Sequence, residues 1–395
     1  MDTTNLHTPC FILDEAELVR NIREFNAALQ SKFKQSIIGY SVKTNSLPYV
    51  LKLVKDNGCY AEVVSYHEYS LALKIGFDRK HIIYNGPLKS RDTFLQAVCD
   101  GALVNVENWR EIDWLRSLPK DKRYGVGIRL NINISKISPE DAACDDDDSR
   151  FGFSFESGEF QKAIADIAAI GNIDVVGLHS HREPKTRSVG FYQRVIAYVA
   201  DIISQCHLSP DYWDLGGDFF GIMPGKPTYQ QYVDGFYEVL PESLRCLKII
   251  VEPGNAIVAS AFDYWMEVID VKHHDGKAFV CTDGTRNDVD PFFHKNDYFK
   301  EFVLTDSENR SRSSLPQVVS GLSCLEYDRL FQLPAESVSL KAGDRIVFHR
   351  VGAYTMVLSP LFIHYFPYVY VRNSTGLSLV REEWNENEFV IKNKY

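Results

Sequence analysis

The stretch AEVVSYHEYSLALKIGFDRKHIIY, residues 61–84, reads as a strand, a helix and a second strand. AEVV (61–64) and HIIY (81–84) are short apolar runs with β-branched residues, and YHEYSLALKIGF (66–77) between them spaces its apolar side chains at helical intervals. Two parallel neighbours can be joined only by a crossover, so a strand linked to a strand through a helix is the unit of a parallel sheet. The same alternation extends in both directions. IIGYSV (37–42) lies upstream, and LVNV (103–106), VGIRLNI (126–132), DVVGLH (174–179), YWDLG (212–216) and KIIVE (248–252) follow. Helix-patterned segments such as ENWREIDWLRSL, FQKAIADIAAIGN and YQRVIAYVADIISQC separate them. Eight alternations predict an α/β fold built on a (β/α)8 barrel.

The helical pattern then fades. MEVIDVKHHDGKAFVCTDGT, DRIVFHRVGAY and FPYVYVRN read as strands and turns, which predicts a second, mainly β domain. Near the N-terminus CFILD (10–14) also reads as a strand, followed by a helix with Leu18, Ile22, Phe25 and Leu29 on one face. Pattern alone leaves the home of that strand open. The expected division is residues 30–262 for the barrel and 1–29 with 263–395 for the β domain.

Composition narrows the function classes. The 395 residues are 45% hydrophobic and 24% charged, too apolar for a disordered chain. Against 53 acidic residues stand 43 lysines and arginines, a net charge of −10 with no dense basic run, so nucleic acid is not an expected partner. The eight cysteines are scattered without a CxxC pair, which suggests neither a disulfide framework nor a structural zinc site. The acidic start lacks the features of a signal peptide, and no segment offers about 18 uninterrupted apolar residues. A soluble, cytoplasmic protein with no membrane partner is the expectation. The run Asp145–Asp148 reads as a solvated loop rather than a cation site.

Barrels of this kind do chemistry at the C-terminal ends of their strands, and here those ends are polar. They present Tyr40-Ser41-Val42-Lys43, Glu62 to Ser65, Asn85-Gly86, Arg129 and Asn131, His179-Ser180-His181, Asp214-Leu215-Gly216-Gly217 and Glu252-Pro253-Gly254. A lysine directly after an apolar strand can be partly desolvated, which disfavours its ammonium form and suits Schiff-base chemistry; by itself Lys43 also reads as an ordinary surface lysine. Gly216, Gly217 and Gly254 expose backbone amides after strands seven and eight, where barrels commonly bind phosphate. His179 and His181 would share a strand face, but no third ligand stands at a suitable spacing, so no metal site is expected.

Taken together, Tyr40-Ser-Val-Lys43-Thr-Asn45, Ala61-Glu-Val-Val-Ser65, His179-Ser-His181, WDLGGDFFG (213–221), VEPG (251–254), GLSCLEYD (321–328) and GAYT (352–355) resemble the fold-type III pyridoxal-phosphate decarboxylases. That family includes the diaminopimelate, ornithine and carboxynorspermidine decarboxylases, and the motifs occur here in family order over nearly the whole chain. The resemblance implies an alanine-racemase-like barrel with a C-terminal β domain, pyridoxal 5'-phosphate as cofactor, an amino acid as substrate, and a homodimer with shared active sites. Lys43 would be the Schiff-base lysine, Glu252 the partner of the pyridinium nitrogen and His181 the residue stacked on the ring. Glu62, Gly216, Gly217, Gly254 and Tyr354 would complete the cofactor site, and Cys324 would serve the partner subunit's site in protonating the substrate carbon. The reaction implied is α-decarboxylation. A racemase or epimerase on the same scaffold, and a catalytically inactive relative that regulates by binding, are the alternatives.

Several positions depart from the family pattern. A Gly-Ser usually comes soon after the ring-stacking histidine, where the run here is His181-Arg182-Glu183-Pro184; Asp218 replaces the third glycine of a GGG run, and Asn255 replaces the arginine of EPGR. An arginine-containing RPxLY motif that grips a distal carboxylate in diaminopimelate decarboxylases corresponds to Asp290-Pro-Phe-Phe-His294, and Leu325 replaces an acid after the cysteine. Asp290, His294 and Glu326 are therefore candidates for the substrate's far end. Arginine replaced by aspartate would repel a distal carboxylate, so the expected substrate carries a cationic or neutral polar distal group rather than that of meso-diaminopimelate. Asp290 beside Pro291 also fits a plain surface turn.

Overall fold

A computed structural model describes residues 6–142, 149–308 and 310–394 of the chain; the Asp145–Asp148 run lies outside them. The chain divides into two compact units, Val19–Ile257 and Met1–Leu18 with Val258–Tyr395. The first junction falls inside the helix Glu15–Gln30, where the sequence had placed it after residue 29, and the second lies a few residues before 262.

In the first unit eight parallel strands close on themselves: Ser36–Ser41, Tyr60–Ser65, Ile82–Leu88, Leu103–Val106, Tyr124–Asn131, Ile173–His179, Tyr212–Asp214 and Lys248–Val251. The last strand pairs with the first, with Val251 opposite Ile38, and Leu103–Val106 pairs with Tyr124–Asn131, so the barrel is complete. A short additional strand, Phe153–Ser154, runs beside Tyr124–Asn131. Each predicted strand is present within a few residues of its expected bounds. The interior is filled by side chains: Tyr212 enters the barrel over Gly177, where a Cβ would come within 2.0 Å of the tyrosine ring.

Local signals start and stop the helices. Ser65 ends the second strand and caps the helix Tyr66–Ile75, its hydroxyl accepting from the Glu68 amide at 3.1 Å, while the Glu68 carboxylate accepts from Val64 N at 2.7 Å. A cap of this type contributes about 1 kcal/mol. Gly76, in the left-handed region at φ +93°, ends that helix. No helix among the described residues is long and apolar enough to cross a membrane.

The second unit is a nine-stranded sheet. Its N-terminal strand Cys10–Asp14 runs antiparallel to Phe262–His274 and parallel to Tyr368–Asn373, which settles the home of CFILD. Phe262–His274 turns into Lys277–Thr282 through Asp275-Gly276, both at positive φ, as a two-residue hairpin loop requires.

Candidate active site at the barrel strand ends

Parallel register sets the strand ends of the barrel side by side: Ser41 opposite Glu62, Arg129 opposite His179, and His179 opposite Asp214. The chain leaves the first strand in a single 3-10 turn, Val42–Thr44, which carries Lys43. Lys43 Nζ lies 2.9 Å from Ser41 Oγ and 3.1 Å from Glu62 Oε2. Ser41 donates to the same Glu62 oxygen at 2.7 Å. Glu62 is 1% exposed, so its charge is balanced by donors inside the barrel and not by water.

Across the interior, Asn85 Nδ2 donates to Glu252 Oε1 at 2.5 Å and to Glu62 Oε1 at 3.2 Å. The other Glu252 oxygen lies 3.6 Å from His179 Nε2, and Asp214 stands close to both residues. Burial works against a charge on Glu252, but His179, a hydrogen bond from Asp214 and the Lys43 ammonium hold its carboxyl well below the usual range. Burial, and then the charge of Glu252, push the Asp214 carboxyl well above it. The two carboxyls are thus pushed apart, Glu252 toward the anion and Asp214 toward the protonated acid. Gly216 N fixes Asp214 by donating to Oδ1 at 3.0 Å.

His181 Nδ1 accepts from Gly217 N at 3.2 Å, and burial together with the Arg129 charge lowers the imidazole pKa well below its ordinary value. The ring is neutral and its orientation is set by the glycine turn. A cavity of about 670 Å³ opens beside it, lined among others by Arg129, Phe151, His181, Arg182 and Lys185. Arg129 is itself paired with Glu107 at 2.8 Å. Gly254 packs so closely on the lysine turn that a Cβ there would meet Thr44 Oγ1 at 1.9 Å.

The barrel therefore brings together Lys43, Glu62, His181, Gly216, Gly217, Glu252 and Gly254. Three further residues join them, which the sequence presents at strand ends but to which it assigns no role in the site: Asn85, His179 and Asp214. All three are strand-end polar residues that lie within 2% of full burial, and a polar side chain in an otherwise apolar strand was the available signal. Histidine 179 faces Asp214 and Glu252, from two other strands, rather than forming a site with His181 alone.

Cys324, Tyr354, Asp290, His294 and Glu326 belong to the β unit. Cys324 and Tyr354 are exposed, Tyr354 by 42%. The Glu326 side chain is 98% exposed and lies 3.9 Å from Arg329, and His294 is exposed with its ring stacked on Phe292. Asp290 is neither a surface turn residue nor a bare carboxylate: it is 4% exposed and paired with Arg286. The repulsion expected from it is therefore already neutralised within its own unit. At the other departures, Asp218 occupies a left-handed position, φ +70°, and accepts from Arg187 at 2.9 Å, while Pro184 is buried.

The barrel residues fit pyridoxal phosphate. A primary amine stands at a strand end with a carboxylate to take its proton, a buried anion is available for a protonated ring nitrogen, and a neutral imidazole offers a flat face. Buried polar atoms at the same end, Thr44 Oγ1 and His179 Nδ1, lack a hydrogen-bond partner within the protein, as a site built around a polar group would leave them.

Comparison with known proteins agrees. The family model for pyridoxal-dependent decarboxylases, pyridoxal binding domain, matches residues 16–259. The chain is 26% identical over 394 residues to diaminopimelate decarboxylase of Actinosynnema pretiosum subsp. auranticum, covering 96% of this chain and 87% of that protein. It is 27% identical over 348 residues to the diaminopimelate decarboxylase of Aquifex aeolicus, covering 86% and 81%. The crystal structure of the M. jannaschii diaminopimelate decarboxylase in complex with L-lysine matches with a TM-score of 0.86 at 20% identity, over 100% of this chain and 93% of that one, a likeness of fold.

Proposed function

The chain belongs to the pyridoxal-dependent decarboxylases, and from that premise we propose that it removes the α-carboxylate of an amino acid with Lys43, Glu62, His181 and Glu252 as the working residues of the barrel. Pyridoxal phosphate, when bound, supplies an aldehyde that takes up an amino group and a protonated ring that accepts the electron pair left by carbon dioxide. Lys43 would be the amine that holds the cofactor, and Glu62 is placed to receive a proton from Nζ. Glu252 would face the ring nitrogen and favour its protonated form. His181 would lie against the ring and, as a neutral imidazole, add no charge against that proton. Gly216, Gly217, Gly254 and Tyr354 would hold the phosphate. Cys324 would return a proton to the α-carbon, reaching the site of a second copy of the chain in a twofold homodimer.

For the distal end of the substrate we infer a cationic or neutral polar group. Asn255 and the lack of arginine in the 290–294 stretch support this; Asp290 does not, since Arg286 neutralises it. The relatives' names point toward diaminopimelate, so the two readings give opposite results in one assay.

The observation that carries the decarboxylase reading is the Lys43–Glu62 pair at 3.1 Å, in the same barrel interior as the buried Glu252 anion. The test is carbon dioxide release by the protein reconstituted with pyridoxal phosphate, from carboxyl-labelled diaminopimelate, ornithine, lysine and arginine, with Lys43→Ala as control. Release that disappears in Lys43→Ala supports the proposal. Solvent exchange of the α-proton without carbon dioxide, or failure to bind the cofactor, overturns it. Fast turnover of diaminopimelate would overturn the distal-group inference alone.

A further inference from the structure

We propose that Asn85 is a positioning residue that binds the two barrel carboxylates, Glu62 and Glu252, into one unit and thereby keeps Glu252 competent to hold a proton on the ring nitrogen of pyridoxal phosphate. The proposal rests on the reading that Glu252 faces that nitrogen.

Asn85 is 2% exposed and sits in the strand Ile82–Leu88 just before Gly86, whose φ is +76°. A Cβ at Gly86 would meet Val64 O at 2.5 Å, and the pairing with the neighbouring strand shifts register between Val63 and Ser65. The irregularity lies directly beside Asn85, at the point where the strand delivers its amide to the interior.

The direction of every hydrogen bond follows from the carboxylates. An ionised carboxylate only accepts, so Asn85 must present its NH2 group to Glu252 Oε1 at 2.5 Å and Glu62 Oε1 at 3.2 Å. Its carbonyl oxygen then accepts from Asn105 Nδ2 at 2.8 Å, and Asn105 in turn accepts from Tyr212 OH at 2.9 Å. All of these residues are buried. The chain Tyr212, Asn105, Asn85 fixes the amide and cannot flip without breaking several bonds at once. A continuous path therefore links Lys43 through Glu62 and Asn85 to Glu252.

Charge is what this path manages. Facing Glu62 are Lys43, Ser41 and Asn85, with the Glu68 and Asp214 carboxyls nearby; facing Glu252 are His179, Asp214, Lys43 and Asn85. Lys43 is in hydrogen-bond contact with Glu62 and acts on Glu252 through its charge, so a neutral amide that donates to both carboxylates lets two anions persist in one interior. Without that donor, burial favours protonation of one carboxylate, and a neutral Glu252 cannot hold the ring proton.

The test compares Asn85→Leu, which shares the branched shape of the side chain but has no donor, and Asn85→Ser, a small donor, with the wild type. Far-ultraviolet circular dichroism and thermal unfolding of the cofactor-free proteins check the fold. Binding of pyridoxal phosphate and of its 1-deaza analogue, which lacks the ring nitrogen, is titrated by absorbance, and the visible band of each loaded protein is followed from pH 5 to 9. In Asn85→Leu, pyridoxal phosphate should bind at least about tenfold more weakly, the 1-deaza analogue should change much less, and the band midpoint should move, with Asn85→Ser between. Equal losses for both cofactors in a folded variant, or no loss for either, overturn the proposal. If Asn85→Leu fails to fold, the same comparison in Asn85→Ser decides. A wild-type protein that binds no pyridoxal phosphate would instead overturn the cofactor reading on which the proposal rests.

Discussion

Arg286 holds a single oxygen of Asp290 through two hydrogen bonds, Nη2 at 2.8 Å and Nε at 3.0 Å. The same oxygen accepts from Lys295 N and Tyr298 OH, and the other from His294 N. Asp290 closes the short helix Arg286–Val289 against the segment that follows it, contacts that suit a structural role. Asp290→Ala should therefore cost about 3 kcal/mol, because it leaves a largely buried guanidinium without its anion, and it should leave the ratio of rates on any two substrates unchanged. Urea unfolding and a two-substrate assay check this; a variant as stable as the wild type with an altered substrate ratio would return Asp290 to the substrate site.

Gly216 is required twice over. Its φ is +74°, and a Cβ would lie 2.4 Å from His181 Cβ. Gly216→Ala therefore strains the turn by about 1 kcal/mol and moves the imidazole that it positions. The expected outcome is a folded protein, only slightly less stable by thermal unfolding, whose pyridoxal phosphate affinity falls about tenfold or more. Unchanged affinity would show that the position of His181 does not matter to the cofactor.

The barrel was legible in the sequence because its strands are buried on both faces and appear as uninterrupted apolar runs, bounded by polar strand ends. Much of the site could be read for the same reason: Lys43, Glu62 and Glu252 interrupt or end such runs. The bond from Asn85 to Glu252 could not, since it spans 167 residues and depends on the closure of the barrel, which leaves no periodic trace. The pairing of Asp290 was hidden for a different reason. Its partner stands four residues earlier, a spacing that places both on one helix face, but the short helix Arg286–Val289 carries no run of apolar positions to announce it. Strands such as Lys300–Val303 and Gln317–Ser320, of four residues each, are likewise too short to show alternation.

Burial pushes the Asp218 carboxyl up to about 7, against the opposing effect of Arg187. An unfolded aspartate loses its proton near pH 4, so between about pH 4 and 7 the folded state binds the extra proton, and the stability this contributes at low pH is lost as pH rises through that window. Asp218→Asn cannot ionise and escapes the loss. Relative to wild type, the cofactor-free variant should gain about 2.5 kcal/mol more stability at pH 8 than at pH 5. Denaturant melts at the two pH values measure the difference; a variant that gains more at pH 5 than at pH 8 would reverse the sign and remove Asp218 as the cause.

The proposed homodimer predicts complementation between subunits. Lys43 belongs to the barrel unit, and Cys324 is exposed on a turn of the β unit, between the strands Gln317–Ser320 and Arg329–Leu333. If each site takes its lysine from one copy and its cysteine from the other, Lys43→Ala and Cys324→Ala homodimers are both inactive. A mixed dimer then contains one site with both residues intact and one with neither. Equal mixing with free exchange makes half the dimers mixed, and half of their sites are intact, so activity should return to about a quarter of the wild-type level. Exchange is verified independently by native mass spectrometry of differently tagged subunits. A mixture with demonstrated exchange and no regained carbon dioxide release would mean that Lys43 and Cys324 of one site come from the same copy, or that Cys324 takes no part in the reaction; measurable activity in Cys324→Ala alone separates those two outcomes.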